Sequence, residues 1–240
     1  MKDKTNVQGF GRREFLKSAV VGGAAAATAT ASIGLPQTVQ AAQPAGAPAA
    51  GYTFFNPDEA AFIESLVDHM IPADELTGKG SDLGINTFID RALAGSWGKG
   101  DRLYMQGPWK QGTPSQGYQL PLTPADLYRA GIAATNRYCA KTYGKVFDQI
   151  GADQRQEVLT GLMNGKVSFD DGLPARVFFT ALYQNVIEGM FSDPIYGGNK
   201  NKAAWKMIGF PGVLEAHQRN ILNFKNKKFT VEPTGIADMS

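Results

Sequence analysis

Few side chains in this sequence could act as acid–base catalysts or metal ligands. The chain has two histidines, and one of them, His69, follows Asp68 and precedes Asp74 and Glu75. An imidazole near carboxylates can transfer protons or bind a metal ion, although a lone histidine of this kind is more often part of a surface pair. A site around His69, Asp74 and Glu75 is therefore one interpretation and a surface pair is the other. The second histidine, His217, lies in the polar run EAHQRN, which favours a solvated position.

The sequence has no recognisable motif for a cofactor. Cys139 is the single cysteine, which excludes a disulfide framework within the chain. Structural zinc sites and iron–sulfur clusters also need more thiol or imidazole ligands than this chain has. The run GGNKNK at 197–202 follows no strand and lacks the spacing of a phosphate-binding loop. We therefore expect no cofactor and no metal ion in this chain.

The first 41 residues have the pattern of an export signal. Arg12 and Arg13 are followed by Phe15, Leu16 and a weakly apolar run of Ala, Gly and Thr, and Ala41 ends a small-residue cleavage site. This pattern predicts a secretory signal, and the paired arginines indicate the twin-arginine route, which carries folded proteins. The alternative is an Ala-rich membrane anchor, but the run has few of the strongly apolar residues that a spanning helix needs.

The composition divides the chain into three segments. We assign 1–41 to the signal, 42–51 to a flexible Ala/Pro spacer, and 52–240 to one domain. Removing 1–41 takes away five basic and two acidic residues, so the formal net charge changes from +2 to −1. A near-neutral domain lacks the clustered basic face of a nucleic-acid-binding protein, so we expect no nucleic-acid partner.

The residue pattern of the domain predicts an all-α fold: a single compact helical domain with long irregular loops. Asn56 precedes Pro57 and, with Glu59, has the spacing of a capping box at the start of a helix. Apolar residues recur at helical spacing after this point and within 84–94 and 174–192.

Other parts of the domain are less regular. Thr123 and Pro124 predict the start of a further helix, whose apolar stripe includes Cys139. Before it, residues 95–122 are rich in Gly, Pro and aromatic residues, which predicts a long loop. Shorter helices are expected at about 200–207 and 213–225. Only the terminal run FTVEP has the alternation of a strand.

The densest motif is EGMFSDPIYGGNKNKAAWKMIGFPG at 188–212. Its glycines and prolines favour tight turns, and Asn199 can cap the helix that follows. Tyr196 and Trp205 either face a groove on a partner protein or fill this domain's own core, since aromatic residues are common in both places. The signature residues are Asp193, Pro194, Tyr196, Gly197, Gly198, Asn199, Trp205, Gly209, Pro211 and Gly212.

The leader, the run FFNPDEAAFIESLVDHMIPAD and the block DPIYGGN…W…IGFPG together carry a family resemblance. Over about residues 52–225 the sequence resembles the gluconate 2-dehydrogenase subunit 3 family. The resemblance implies a small subunit without catalytic residues or a cofactor of its own. It also implies two partners: a large FAD-containing dehydrogenase subunit and a multihaem cytochrome c subunit. The large subunit of such a complex oxidises a sugar or sugar acid, for example D-gluconate to 2-keto-D-gluconate.

The resemblance also implies how the export signal is used. In this family the small subunit carries the signal for a flavoprotein that has none, so we expect an escort located in the periplasm. Membrane contact is expected to be indirect, through the complex. Cys139 either forms a disulfide with the large subunit or is a buried free thiol. The alternative function is a stand-alone periplasmic enzyme with a site near His69, Asp74 and Glu75.

Overall fold

The computed structural model of the chain describes residues 49–110, 113 and 116–239. The predicted export signal, with Arg12, Arg13, Phe15 and Leu16, lies outside the described residues. The predicted cleavage site at Ala41 and most of the predicted spacer lie outside them as well.

The described residues form a helical domain, which confirms the predicted all-α class. Its α-helices are α1 (Pro57–Met70), α2 (Ile85–Ala94), α3 (Pro124–Tyr143), α4 (Ala152–Met163), α5 (Ala175–Phe191), α6 (Ala203–Ile208) and α7 (Gln218–Asn223). Short 3₁₀ turns occur at Phe147–Gln149, Pro194–Tyr196, Lys200–Lys202, Leu214–His217 and Ile236–Met239.

The predicted strand at 229–233 is wrong. Within the described part of the chain there is no β-strand, and pairing is limited to a single parallel bridge between Gly212 and Thr234. An alternating sequence needs a neighbouring strand to satisfy its backbone groups along its length. The bridge forms at Thr234, the residue directly after this segment, and at no described position within 229–233.

The two best-defined helices begin at capping boxes. The Asn56 side chain accepts a hydrogen bond from the Glu59 N–H (2.9 Å), and the Glu59 carboxylate accepts one from the Asn56 N–H (3.0 Å). Thr123 and Asp126 repeat this arrangement at the start of α3. Each box satisfies backbone donors that a helix start leaves without partners. The predicted starts of both helices are confirmed.

Helix α5 is central, because it contacts α2, α3, α4 and α6. Its inward residues Phe178, Leu182 and Val186 have no exposed surface. The Tyr128 ring of α3 packs edge-on against Phe178, with centroids 5.9 Å apart, and the Tyr128 hydroxyl donates to Asn185 Oδ1 (2.6 Å). The hydroxyl therefore retains a hydrogen bond although the ring is fully buried.

The long loop at 95–122 is irregular in its described part, as predicted. Trp97 packs edge-on against Tyr128, with ring centroids 6.5 Å apart, while Tyr104 is exposed. The Tyr118 hydroxyl donates to the Leu122 carbonyl (2.6 Å) and so closes the end of the loop just before α3. The loop thus contributes some of its aromatic rings to this domain and leaves others at the surface.

A buried carboxylate fixes the chain where it enters the domain. Asp90 of α2 is almost fully buried and accepts three backbone N–H bonds, from Thr53 (2.7 Å), Phe54 (2.8 Å) and Phe55 (3.0 Å). A carboxylate accepting several N–H bonds makes a stronger contact than neutral acceptors would. Asp90 therefore clamps the residues that precede α1 onto α2.

An ion pair joins the starts of α1 and α3. The Arg129 guanidinium donates to both oxygens of Glu59 at 2.8 Å and to the Phe54 carbonyl at 3.2 Å, and it lies 4.1 Å above the Phe54 ring. Burial raises the pKa of Glu59 despite the guanidinium beside it. The pair satisfies two charges that would be costly to bury singly.

Among the described helices, none is both long and apolar enough to cross a lipid bilayer.

The Asp90 clamp gives a testable consequence for stability. Asp90→Asn keeps the shape of the side chain but removes the charge and turns an NH₂ group toward a backbone donor. We expect the free energy of unfolding to fall by about 2 kcal/mol, measured by urea denaturation. Asp82→Asn, at an exposed carboxylate, is the matched control and should change it by less than about 0.5 kcal/mol. Equal effects of the two substitutions would rule out the clamp.

Candidate functional site

The signature motif begins with a carboxylate that serves two segments. Asp193 follows α5, and its Oδ1 accepts a hydrogen bond from the Ile195 N–H (3.0 Å), which starts the 3₁₀ turn Pro194–Tyr196. Its Oδ2 accepts from the Ile236 N–H (2.8 Å), near the C-terminus. One side chain thereby ties the end of the chain to the end of the central helix.

Asn199 is the buried centre of the motif. Its side-chain Oδ1 accepts a hydrogen bond from the Ala204 N–H (3.0 Å) in the first turn of α6, and its Nδ2 donates to the Ser192 carbonyl (2.9 Å) at the end of α5. Asn199 has no exposed surface and a left-handed backbone (φ 44°). Lys202, not Asn199, is the residue directly before α6. The asparagine nevertheless satisfies a donor of that first turn, as the sequence suggests.

The two aromatic rings of the motif have different environments. Trp205 is only 5% exposed, donates from Nε1 to the Phe191 carbonyl (2.8 Å), and packs edge-on against Phe210. Tyr196 is 56% exposed. The structure therefore places Trp205 in this domain's own core, so it presents no ring to a partner groove. Tyr196 lies on the surface.

Two signature glycines are required by close backbone contacts. A Cβ on Gly198 would lie 2.1 Å from the Gly189 carbonyl oxygen of α5, and a Cβ on Gly212 would lie 2.0 Å from the Thr234 carbonyl oxygen. Gly212 also has φ 91°, which other residues adopt only with strain. These contacts make the motif a junction that joins α5, α6 and the C-terminal segment. The other turn residues of the motif, Pro194, Gly197, Gly209 and Pro211, lie within the same junction.

The predicted cluster near the end of α1 does not come together as a site. His69 Nε2 lies 3.1 Å from Gln156 Oε1 of α4. Asp74 accepts N–H bonds from Leu76 and Thr77, which close its own turn and lower its pKa. In the described residues no contact joins His69, Asp74 and Glu75, and no group of three candidate ligand side chains is placed to hold a metal ion. These contacts favour the surface-pair interpretation of His69.

Cys139 is inside the domain. Its side chain is on the inward face of α3 with no exposed surface, and burial raises the pKa of its thiol to about 11. The neutral thiol is a poor nucleophile, since thiolate is the reactive form. A disulfide to another chain would require this face of α3 to open, so the packing favours the buried free thiol.

The outer face of α5 carries an apolar stripe, which we call the α5 stripe: Phe179, Tyr183 and Ile187. The rings of Phe179 and Tyr183 stack with centroids 6.2 Å apart, and Tyr183 is 51% exposed. These residues follow helical spacing on the side of α5 next to the buried Phe178 and Leu182, and Phe179 packs partly against the core. Contiguous exposed apolar residues mark interaction sites more often than scattered ones do. The α5 stripe was not identified from the sequence, although its i, i+4, i+8 spacing was readable there.

The role assigned to Asn199 can be tested against a neighbour with the same backbone. Asn199 and Asn201 both have positive φ values, but Asn201 is exposed. Alanine is strained at positive φ, so Asn199→Ala and Asn201→Ala carry a similar conformational penalty. The difference between their effects on the free energy of unfolding then measures the two buried hydrogen bonds of Asn199. We expect Asn199→Ala to lower the free energy of unfolding by about 2 kcal/mol more than Asn201→Ala, by urea denaturation. A difference below about 0.5 kcal/mol between the two variants would contradict the role of Asn199 as the buried hydrogen-bonding centre of the motif.

Comparison with known proteins agrees with the resemblance. The family model described as gluconate 2-dehydrogenase subunit 3 matches residues 57–212, from the first residue of α1 to the last glycine of the signature motif. Searches of curated proteins and of solved structures returned no match. The match spans more than half of the chain and contains α1 to α6. The chain therefore belongs to the gluconate 2-dehydrogenase subunit 3 family.

Proposed function

We propose that this chain is the small, non-catalytic subunit of a flavin-dependent gluconate 2-dehydrogenase-like complex. The family match over residues 57–212 carries this proposal. FAD and haem c belong to the partners: a large dehydrogenase subunit that oxidises D-gluconate or a related sugar acid, and a multihaem cytochrome c subunit. The small subunit stabilises the folded large subunit by binding it, since binding to the folded form alone shifts the folding equilibrium.

The α5 stripe supports a protein partner on this domain. Aromatic residues such as Tyr are enriched at the centres of protein interfaces, where they contribute much of the binding energy. Tyr183 and Ile187 lie on the most central helix of the domain, whose adjacent side is anchored in the core by Phe178 and Leu182. We propose that the large subunit covers this stripe.

The twin-arginine signal supplies the second part of the proposed function. Arg12 and Arg13 would direct the assembled small and large subunits together through the route for folded proteins. The complex would then reside at the periplasmic face of the inner membrane. This arrangement explains why a chain without a cofactor motif carries a signal suited to cofactor-loaded proteins.

Export of the partner tests the escort role. Replacing Arg12 and Arg13 by Lys should leave an active dehydrogenase in the cytoplasm, because assembly does not depend on these residues. The measurement is gluconate-dependent dye reduction in periplasmic and cytoplasmic fractions, with replacement of Lys2 and Lys4 by Arg as the control. If the large subunit still reaches the periplasm when the paired arginines are replaced, the escort role is wrong.

The α5 stripe can be tested by assembly. The double substitution Tyr183→Ser and Ile187→Ser removes apolar area from half-exposed positions outside the core, so the domain should remain folded at the assay temperature. We expect the affinity for the large subunit to fall by at least ~30-fold, as for interface hot spots, measured by titration of the two purified subunits. A matched control is Ile221→Ser with Leu222→Ser, at exposed apolar residues of α7. Unchanged affinity of the stripe variant for the large subunit would show that the large subunit does not bind the α5 stripe.

A further inference from the structure

The end of the chain presents apolar residues that the domain does not cover. Among the described residues, no side chain after Phe210 belongs to the hydrophobic core or packs against it. Ile221 and Leu222 of α7 are 74% and 80% exposed, and Leu214 and Phe224 are exposed as well. An open groove of about 550 Å³ lies between α7, Pro211 and Phe229. We call Leu214, Ile221, Leu222 and Phe224 the C-terminal surface.

This surface is held in place by the junction of the signature motif. The Val213 N–H donates to the Thr234 carbonyl (2.9 Å), and the Thr234 N–H donates to the Pro211 carbonyl (3.0 Å). The Lys202 ammonium donates to the Pro233 carbonyl (2.9 Å) and pairs with Asp238. Both ends of the segment that contains α7 are therefore fastened to each other and, through Lys202, to the start of α6, and the apolar residues project from this base.

Basic side chains accompany the apolar ones. Arg219 lies within α7, and three exposed lysines follow it directly: Lys225, Lys227 and Lys228. The carboxylates of Glu232 and Asp238 already pair with Lys206 and Lys202. Within the side chains that the structure describes, the four basic groups next to the C-terminal surface have no ion pair. One more carboxylate, Glu215, is present in the sequence of this segment.

The chemistry of this surface differs from that of the α5 stripe. Protein interfaces favour Tyr, Trp and Arg and are depleted in Lys. Leu, Ile and Phe flanked by several lysines are instead typical of surfaces that insert into the boundary of an anionic bilayer, with the apolar residues among the acyl chains and the ammonium groups at the headgroups. We propose that the C-terminal surface binds directly to an anionic lipid bilayer. This site is distinct from the proposed protein interface and does not depend on it.

Vesicle binding by the full chain tests this inference. The probes are vesicles of phosphatidylcholine mixed with phosphatidylglycerol, and vesicles of phosphatidylcholine alone as the uncharged reference. We expect binding to the anionic vesicles, weakened by added salt because the charge attraction is screened. Ile221→Ser with Leu222→Ser should weaken binding at least ~10-fold, and Lys225→Gln with Lys227→Gln and Lys228→Gln should weaken it by about 100-fold. The measurement is co-sedimentation.

Control variants separate this inference from the proposed function. All chains compared keep the same N-terminal residues, so differences among them report on the substituted surface. The variant with Tyr183→Ser and Ile187→Ser should bind vesicles like the unsubstituted chain, and both C-terminal variants should keep their unfolding temperatures. Equal vesicle binding by all chains would overturn the proposal. The proposal would also be overturned if the C-terminal variants lost binding to the large subunit. Loss of a dimer of this chain in those variants would overturn it as well, because either result would make the C-terminal surface a protein interface.

Discussion

The buried amide of Asn199 connects the parts of the molecule on which both proposed surfaces depend. It joins the end of α5 to the first turn of α6 through Ser192 and Ala204. Asp193 then attaches the C-terminal segment to the same point. An unsatisfied polar group at this depth would cost free energy comparable to a lost hydrogen bond. The signature motif is therefore a structural junction, which orients two surfaces.

The junction separates two surfaces of different chemistry. The α5 stripe is mostly aromatic and lies beside the buried side of the central helix. The C-terminal surface is aliphatic, with one phenylalanine, and it is bordered by lysines outside the core. Under the two proposals, one small domain would bind a protein and a lipid surface at the same time.

Local features of the fold were predictable from the sequence. The capping-box spacing at Asn56 and the pair Thr123–Pro124 involve only residues close in sequence, so they located the starts of α1 and α3. The periodicity of 174–192 likewise predicted α5, which spans Ala175–Phe191. Such features depend on few residues, all close in sequence.

Long-range contacts were not predictable in the same way. Asp90 accepts N–H bonds from residues 35 to 37 positions earlier, and Arg129 reaches Glu59 across 70 positions. The sequence also left open whether Trp205 faces the core or a partner, because an aromatic ring suits either environment. The strand expected at 229–233 fails for a related reason, since strand pairing depends on a neighbour that no local pattern specifies.

The central claim is that this chain is an accessory subunit, and isolation from native cells tests it most directly. The chain would be affinity-purified from cells that produce it and, in parallel, from a host that makes it alone. The isolates would be compared for flavin absorbance and gluconate-dependent dye reduction. We predict that both properties accompany the chain from native cells and that the chain made alone has neither. Gluconate oxidation by the chain made alone would contradict the account.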